Sequence, residues 1–268
     1  MRGLWRELVG VVLPAECAGC GEARTGLCEG CRGALGAGVV RARPDPEPAG
    51  LPEVYAAAAY GDEVRAVLIA HKERGALGLA RPLGAALAGA VSATVRSVAG
   101  RPGGAEVLLV PVPSSRRAVA ARGHDATRRI ARAAARELRG GGRRARVAAV
   151  LRQGRVVADQ SGLSARERLA NLGGALVVVP GAGRLLEAAP VVLVDDLMTT
   201  GASLVAAATA VRAAGGAVAG AAVVAAPLTA LVSPAVSPCE PGRSGRNGTR
   251  QSEPSLQLVH AGVTRMEV

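Results

Sequence analysis

Short apolar runs that alternate with helical segments constrain the fold of this chain more than any other feature. Runs such as "VLLVPV" (107–112) and "VVLV" (191–194) carry no charge and are rich in β-branched residues. Strands that are apolar at every position are buried on both faces, as in a parallel sheet covered by helices. Because segments with helical character separate the runs, the sequence predicts an α/β fold: an open parallel sheet with helices on both faces.

Changes in composition divide the 268-residue chain into four parts. We expect a small N-terminal cysteine module over residues 1–38, a stiff proline-rich linker over 39–54, the α/β domain over 55–227 and a disordered tail over 228–268. The uncharged stretch 213–236 is interrupted by prolines and reads better as a buried strand, so we predict no membrane span. Without a convincing targeting signal, the expected location is the cytoplasm.

Four of the five cysteines form two C-x-x-C pairs, which are separated by seven residues. The metal-binding candidates are Cys17, Cys20, Cys28 and Cys31. Four thiolates at this spacing suit one tetrahedral zinc ion, which would be structural because no ligand position remains for water. An iron–sulfur cluster or a redox-active dithiol uses similar pairs and stays open as an alternative.

The charge of the chain favours anionic partners. Its formal net charge is +12, and its sequence pI is about 11.1. A cationic surface attracts phosphorylated small molecules and nucleic acids alike. Aromatic residues make up only 1% of the chain, which disfavours binding of nucleic acid by base stacking. Arginine carries almost all of the positive charge, and Lys72 is the only lysine.

The stretch "VVLVDDLMTTGAS" (191–203) has the pattern of a binding site for a sugar phosphate. Ligands of open parallel sheets bind beyond the carboxyl ends of the strands, where Asp195 and Asp196 lie. The small hydroxyl-rich loop after them and the N-terminus of the next helix suit a phosphate. Two carboxylates repel phosphate and suit sugar hydroxyls or Mg²⁺, so a ribose 5-phosphate fits. The alternative is that the aspartates only cap the strand and the turn.

Two nucleotide-binding signatures are missing from the sequence. A P-loop needs G-x-x-x-x-G-K-[ST], and a dinucleotide-binding fold needs G-x-G-x-x-G after its first strand. Neither pattern occurs in the chain, so both classes of nucleotide site are excluded.

The segment "VVLVDDLMTTGAS" resembles the phosphoribosyl pyrophosphate (PRPP) binding motif of type I phosphoribosyltransferases. Four further blocks resemble the ComF (GntX-like) family, which joins a zinc ribbon to a phosphoribosyltransferase-like domain. They are "LPAECAGC…LCEGC", "AYGDEVRAVLIAHKERG", "VPVPSSRRAVAARGHDA" and "DQSGLSARERLANLGGAL". The five blocks cover most of residues 8–226.

The resemblance implies a role for each block. Asp195 and Asp196 would hold the ribose hydroxyls and, with Lys72, form the catalytic set. The 5-phosphate would lie on Thr199, Thr200, Gly201, Ala202 and Ser203. The pyrophosphate, with Mg²⁺, would lie near Pro113, Ser114, Arg116, Arg117 and Arg122. A mobile hood would contribute Gln160, Arg166, Arg168 and Asn171.

Three functions follow from the resemblance. The first is transfer of phosphoribose from PRPP to an unidentified acceptor; a purine is disfavoured because Thr199 stands where purine-type members carry an acid. The second is regulation by a PRPP-binding protein without transferase activity. The third is a role in competence and DNA uptake, in contact with single-stranded DNA or DNA-uptake proteins. His124 stands where the family usually has an aromatic residue, and we assign it no catalytic role.

Overall fold

The structure of the chain, a computed structural model, describes residues 16–99, 106–154 and 176–232. The strands in these ranges are β1 (Val40–Ala42), β2 (Val54–Ala59), β3 (Val107–Pro111), β4 (Ala145–Val147), β5 (Leu151–Gln153), β6 (Leu176–Val178), β7 (Val191–Leu197) and β8 (Val218–Ala226). The α-helices are α1 (Glu29–Leu35), α2 (Asp62–Glu73), α3 (Ala80–Ala99), α4 (Arg116–Arg122), α5 (Ala126–Gly140), α6 (Gly183–Glu187) and α7 (Ala202–Ala213).

Six of the described strands form one sheet in the order β1-β2-β8-β7-β3-β4. The pairs from β2 to β4 are parallel, and β1 is antiparallel to β2 at the edge. Strands β5 and β6 form a separate antiparallel pair. The predicted α/β fold is therefore confirmed as a mostly parallel sheet, although the edge strand departs from a wholly parallel arrangement.

The two faces of the sheet are covered by separate cores. On β7, Val192 and Val194 belong to the core that includes α3 and α5, whereas Val191 and Leu193 belong to the core that includes α7. A strand covered in this way is apolar at every position, which explains the continuous runs. Small residues let the helices pack closely: a Cβ added at Gly84 of α3 would lie 2.4 Å from the Cβ of Ala133 on α5.

Part of the expected linker is built into the edge of the sheet. Within residues 39–54, β1 pairs with β2, and Ala42 is buried. The start of the expected tail also adopts a regular structure, because the amide of Val232 donates to the carbonyl oxygen of Arg41 at 2.9 Å. Backbone groups at a sheet edge need hydrogen-bond partners, and these segments supply them to each other. The rest of the tail lies outside the described residues, and the domain boundaries stay a prediction.

One helical stretch in the described ranges, Leu77–Val98, is long and apolar enough to cross a membrane by length and composition. It consists of a short 3-10 turn and nearly all of α3. It packs against α5 and β8, and 56% of its most apolar window is buried inside the protein. These contacts are those of a core helix. The uncharged stretch 213–236 contains β8, whose last seven residues are buried, so its reading as a buried strand is confirmed.

Candidate functional site

The ends of β3 and β7 create the crevice in which a ligand is expected. After β3 the chain turns outward to β4, whereas β7 lies on the other side of β3. Ligands of open α/β sheets bind where the strand order reverses in this way, beyond the carboxyl ends of the strands. The loop at Pro113 and Ser114 follows β3, and Asp195 and Asp196 occupy the end of β7. The fold therefore brings the two predicted halves of the site to one edge.

Asp196 pairs with the only lysine of the chain. It follows the alternation of Val192 and Val194, so it faces the core that includes α2. Its Oδ2 accepts a hydrogen bond from Nζ of Lys72 at 2.7 Å, although the residues are 124 positions apart. Asp196 is 5% exposed, and a buried carboxylate of this kind needs a cationic partner.

Asp195 lies on the opposite face of β7, towards the loop that precedes α7. Its Oδ1 accepts from the amide of Asp196 at 2.8 Å. Burial, and then the neighbouring Asp196 carboxylate, raise the pKa of Asp195 well above the ordinary value of 3.8. Burial alone would lower the pKa of Lys72, but the attraction of Asp196 outweighs it, and the net pKa is raised. The two carboxylates therefore repel each other, and the positive charge of Lys72 compensates part of this repulsion.

The loop after β7 leaves the N-terminus of α7 open to a ligand. The N-cap residue Gly201 has φ +76° and no side chain to accept from the first turn, although the amide of Ala202 donates to Oγ1 of Thr200 at 3.4 Å. A Cβ at Gly201 would lie 2.8 Å from Cδ1 of Leu51, which closes the back of the loop. The hydroxyl residues Thr199, Thr200 and Ser203 are exposed. A small cavity of about 30 Å³ is lined by this loop and by Asp195.

The three predicted phosphate-binding arginines differ in their surroundings. Arg116 and Arg117 are exposed at the start of α4, and Arg116 lines a cavity of about 350 Å³ together with Pro113 and Ser114. The Arg122 side chain is only 8% exposed, and its Nη1 lies 3.3 Å from Oε1 of Glu73. Arg122 therefore connects α4 with α2 instead of facing solvent. Its partner was missed at the sequence level, because no local pattern links residues 49 positions apart.

The hood residues Gln160, Arg166, Arg168 and Asn171 lie outside the described residues. Their predicted role stays a prediction. The described β5 and β6 flank that segment on either side.

The four N-terminal cysteines converge as predicted. Their Sγ atoms all lie within 4.8 Å of one another, and Sγ of Cys20 and Cys28 are 3.6 Å apart. A tetrahedral metal with bonds of about 2.3 Å to sulfur holds its sulfurs about 3.8 Å apart, so the cluster fits zinc. Among the described residues, this is the one group of three or more His, Cys, Asp or Glu side chains close enough to hold a metal.

Local backbone geometry builds the cysteine cluster. The amide of Cys28 donates to Sγ of Cys17 at 3.3 Å, and the amide of Cys31 donates to Sγ of Cys28 at 3.4 Å. Burial opposes ionisation of Cys17, but the amides of Cys28, Cys20 and Gly19 outweigh it and lower its pKa to about 6. A Cβ at Gly19 would lie 2.5 Å from Sγ of Cys31, so only glycine fits there.

Comparison with known proteins leaves the family open. The chain matches no model of a known protein family, and it matches no curated protein. The resemblance to the ComF family therefore stays a prediction based on the motifs.

We expect Asp195→Asn to stabilise the ligand-free protein at pH 7.5. A raised folded pKa means that the fold favours the protonated acid, so this stabilisation is complete below pH 3.8 and is lost as the pH rises through the folded pKa. Asparagine stays neutral and still accepts from the amide of Asp196. Thermal unfolding should give a higher melting temperature for the variant at pH 7.5 and a difference that shrinks towards pH 4.

The matched control for this prediction is Asp62→Asn, which removes an exposed aspartate at the start of α2. It should not raise the melting temperature. Equal melting temperatures for wild type and Asp195→Asn at pH 7.5 would show that the paired carboxylates cost the fold nothing.

We expect the purified protein to carry one zinc ion per chain, bound by the cysteine cluster. Cys28→Ser should lose the metal, and because the cluster packs into the same core as α2 and α3, the melting temperature should fall. A loss of about 2 kcal/mol corresponds to about 4–8 °C in a protein of this size. Elemental analysis and thermal unfolding check both points, with Cys239→Ser, which lies outside the cluster, as the control. Iron in place of zinc would contradict the assignment.

Proposed function

We propose that this chain is a phosphoribosyltransferase-like protein of the cytoplasm that binds PRPP and transfers its phosphoribosyl group to a nucleophile. The observation that carries the proposal is the Lys72–Asp196 ion pair of 2.7 Å beside Asp195 at the end of β7. Two adjacent carboxylates next to the N-terminus of α7 offer hydrogen-bond acceptors for a diol and backbone donors for a phosphate. A ribose 5-phosphate carries both chemical groups.

The carboxylates would act on the sugar and not on the leaving group. In the reaction, the bond from C1 of the ribose to the pyrophosphate oxygen breaks, and the electron pair leaves with pyrophosphate. Positive charge develops on the sugar ring while the nucleophile approaches C1 and later loses its proton. Asp195 and Asp196, held on the ribose hydroxyls, place negative charge beside that ring. They also orient the sugar for attack, which lowers the entropic part of the barrier.

Lys72 would change partner when the substrate binds. In the free protein its ammonium group is held by Asp196. Hydroxyl donors of the ribose would then share the oxygens of Asp196, and the ammonium group would become available to the departing pyrophosphate. Asp196 raises the pKa of Lys72 in the free protein. In the exchange the negative charge of the pyrophosphate would replace that of Asp196 and keep the ammonium group protonated at the leaving group.

The proposal includes Mg²⁺ because the proposed ligand, PRPP, carries a pyrophosphate group whose oxygens bind this ion. Carboxylate oxygens of Asp195 and Asp196 are donors that Mg²⁺ accepts, but Asp196 already has a cation beside it, so phosphate oxygens would supply the other ligands. When bound, the metal supplies charge neutralisation of the pyrophosphate.

We expect the double variant Asp195→Asn, Asp196→Asn to lose PRPP binding. Charge-assisted hydrogen bonds contribute about 1.5–3 kcal/mol each, so two lost bonds weaken binding by at least about 100-fold. Calorimetric titration of the zinc-replete protein with PRPP and Mg²⁺ measures the loss. Zinc content and cooperative unfolding should be retained.

The control is Asp62→Asn with Glu63→Gln, which neutralises an adjacent pair of exposed acids at the start of α2. It should bind PRPP as wild type does. Unchanged affinity in the double aspartate variant would contradict the ribose assignment. Binding without pyrophosphate release in the presence of nucleobases and other nucleophiles would favour the second reading, a PRPP-binding regulator.

One further observation favours the alternative function, contact with single-stranded DNA. A groove of about 550 Å³ lies between the start of α3 and α5. Its lining includes four exposed arginines and one acid, Glu137; the arginines are Arg81, Arg129, Arg132 and Arg136. In the part of the chain that the structure describes, none of these arginines has a carboxylate partner. Unpaired arginines along one helix face favour a phosphate backbone.

We expect the triple variant Arg129→Gln, Arg132→Gln, Arg136→Gln to bind a thymidine oligonucleotide more weakly than wild type. Each phosphate contact in a single strand contributes about −0.7 to the slope of log affinity against log salt, so the slope should fall by about 2. Fluorescence anisotropy over a salt series measures it. The control neutralises three exposed arginines elsewhere, namely Arg65, Arg184 and Arg212. Equal loss in both variants would indicate non-specific attraction by net charge.

A further inference from the structure

The junction between α4 and α5 holds the last turn of α2 on both sides of Lys72. Nε2 of His124 lies 3.1 Å from the carbonyl oxygen of His71, and Nη1 of Arg122 lies 3.3 Å from Oε1 of Glu73. His71 and Glu73 are the two chain neighbours of Lys72. The residue that reaches Asp196 is therefore bracketed by contacts from a loop about fifty positions further along the chain.

We infer that His124 is a positioning residue, which together with Arg122 holds α2 so that the ammonium group of Lys72 meets Asp196. We call these two residues the α2 clamp. The purpose of the clamp rests on the proposed function, because it assumes that the Lys72–Asp196 pair serves a ligand site. The existence of the clamp does not depend on that function, since it concerns contacts of the ligand-free protein.

The end of α2 needs a partner of this kind. No backbone N–H group within an α-helix donates to its last carbonyl groups, so these oxygens need donors from elsewhere. The carbonyl oxygen of Ala70 accepts from the amide of Ala76 at 3.0 Å, whereas that of His71 receives the ring of His124. This contact requires a proton on Nε2 of His124. The other ring nitrogen, Nδ1, lies 3.1 Å from the carbonyl oxygen of Arg122; because a carbonyl oxygen only accepts, this second contact is a hydrogen bond only when Nδ1 carries a proton as well.

The side chain of His71 reinforces the contact. Its ring is fully buried and packs edge-on against the ring of His124, with centroids 5.9 Å apart and planes at 62°. Burial lowers the pKa of His71, so its ring is neutral near pH 7. Its Nδ1 is 3.3 Å from the carbonyl oxygen of Ala76, the residue that also closes the turn after α2. The final turn of α2 therefore has two sets of contacts: that of the His71 ring with Ala76 and those of the clamp residues.

Positioning matters because a lysine side chain is flexible. Ordering its four-carbon stem costs rotamer entropy. Lys72 is 35% exposed, so solvent competes for its ammonium group. Fixing the backbone that carries Lys72 lowers the entropy lost when its side chain makes the 2.7 Å contact with Asp196.

The clamp also connects the two halves of the candidate site. Helix α4 begins two residues after Ser114, at the end of the loop that follows β3, and it ends at Arg122.

The single lysine makes the clamp directly measurable. Protein grown with ¹³C,¹⁵N-lysine gives one side-chain signal, that of Lys72. Its ¹⁵Nζ and ¹³Cε chemical shifts at pH 7 are recorded for wild type and for Asp196→Asn. The difference between the two defines the change in chemical shift that loss of the Lys72–Asp196 ion pair causes. Thermal unfolding of each variant reports global stability separately.

We expect His124→Phe, which keeps a ring against His71 but has no donor, to shift the Lys72 signal by at least half of that change. His124→Gln, which keeps a donor for the carbonyl oxygen of His71, should restore the signal towards wild type. Glu73→Gln removes the negative charge of the exposed partner of Arg122 and leaves a weaker neutral acceptor, with little risk to folding; it should shift the signal in the same direction. Glu63→Gln, at the other end of α2, is the control and should leave it unchanged.

The inference is overturned if His124→Phe and Glu73→Gln leave the Lys72 signal at its wild-type position, whatever happens to the melting temperature. If His124→Phe does not fold, the Glu73→Gln and His124→Gln spectra decide alone: a wild-type signal in Glu73→Gln overturns the clamp. Calorimetry with PRPP separates this result from the proposed function. If the clamp variants shift the Lys72 signal but the wild-type protein does not bind PRPP, the clamp is supported and the proposed function is rejected. If the protein binds PRPP but the variants leave the signal unshifted, the function is supported and the clamp is rejected.

Discussion

Burial of β7 on both faces is the constraint on which the rest of the structure depends. The strand lies in the middle of the sheet between β3 and β8, and its first four residues are completely inaccessible to solvent. Two carboxylates at the end of such a strand cannot both turn to water, because successive side chains point to opposite faces. Asp196 is directed towards α2, and Asp195 towards the loop before α7. The two carboxylates of the candidate site therefore lie on opposite faces of β7.

The charges of the candidate site are only partly compensated in the free protein. Two neighbouring carboxylates near the protein interior repel each other, and Lys72 compensates one of them. A fold optimised for stability alone would not keep this arrangement. Hydroxyl donors of a sugar would relieve it, whereas a phosphate would bind away from the carboxylates, at the N-terminus of α7. The electrostatic cost in the free protein is thus the physical counterpart of the proposed affinity for a sugar phosphate.

Helix α2 connects the cysteine cluster to the candidate site. Near its first turn, Cβ of Glu63 lies 3.4 Å from the position of a Cβ on Gly19, within the cysteine module. In its last turn, Lys72 reaches Asp196. Cys17, Cys28 and Cys31 share one hydrophobic core with α2 and α3, so the module is packed onto the α/β domain and does not stand apart from it. The cysteine cluster and the candidate site are consequently connected by one helix of 12 residues.

Patterns that depend on neighbouring residues could be read from the sequence. Uninterrupted apolar runs predicted a covered parallel sheet, closely spaced cysteines predicted a metal cluster, and the position of Asp195 and Asp196 after such a run predicted which edge of the sheet they occupy. What only the tertiary structure decided is which distant groups meet: Lys72 with Asp196 across 124 positions, Arg122 with Glu73, and β1 with the sheet edge. Arg122 has the same local sequence whether it faces a phosphate or a glutamate. Local hydrogen bonding and hydrophobic periodicity are encoded within a few residues, whereas these pairings follow from the order in which strands enter the sheet, and that order is set by packing of the whole chain.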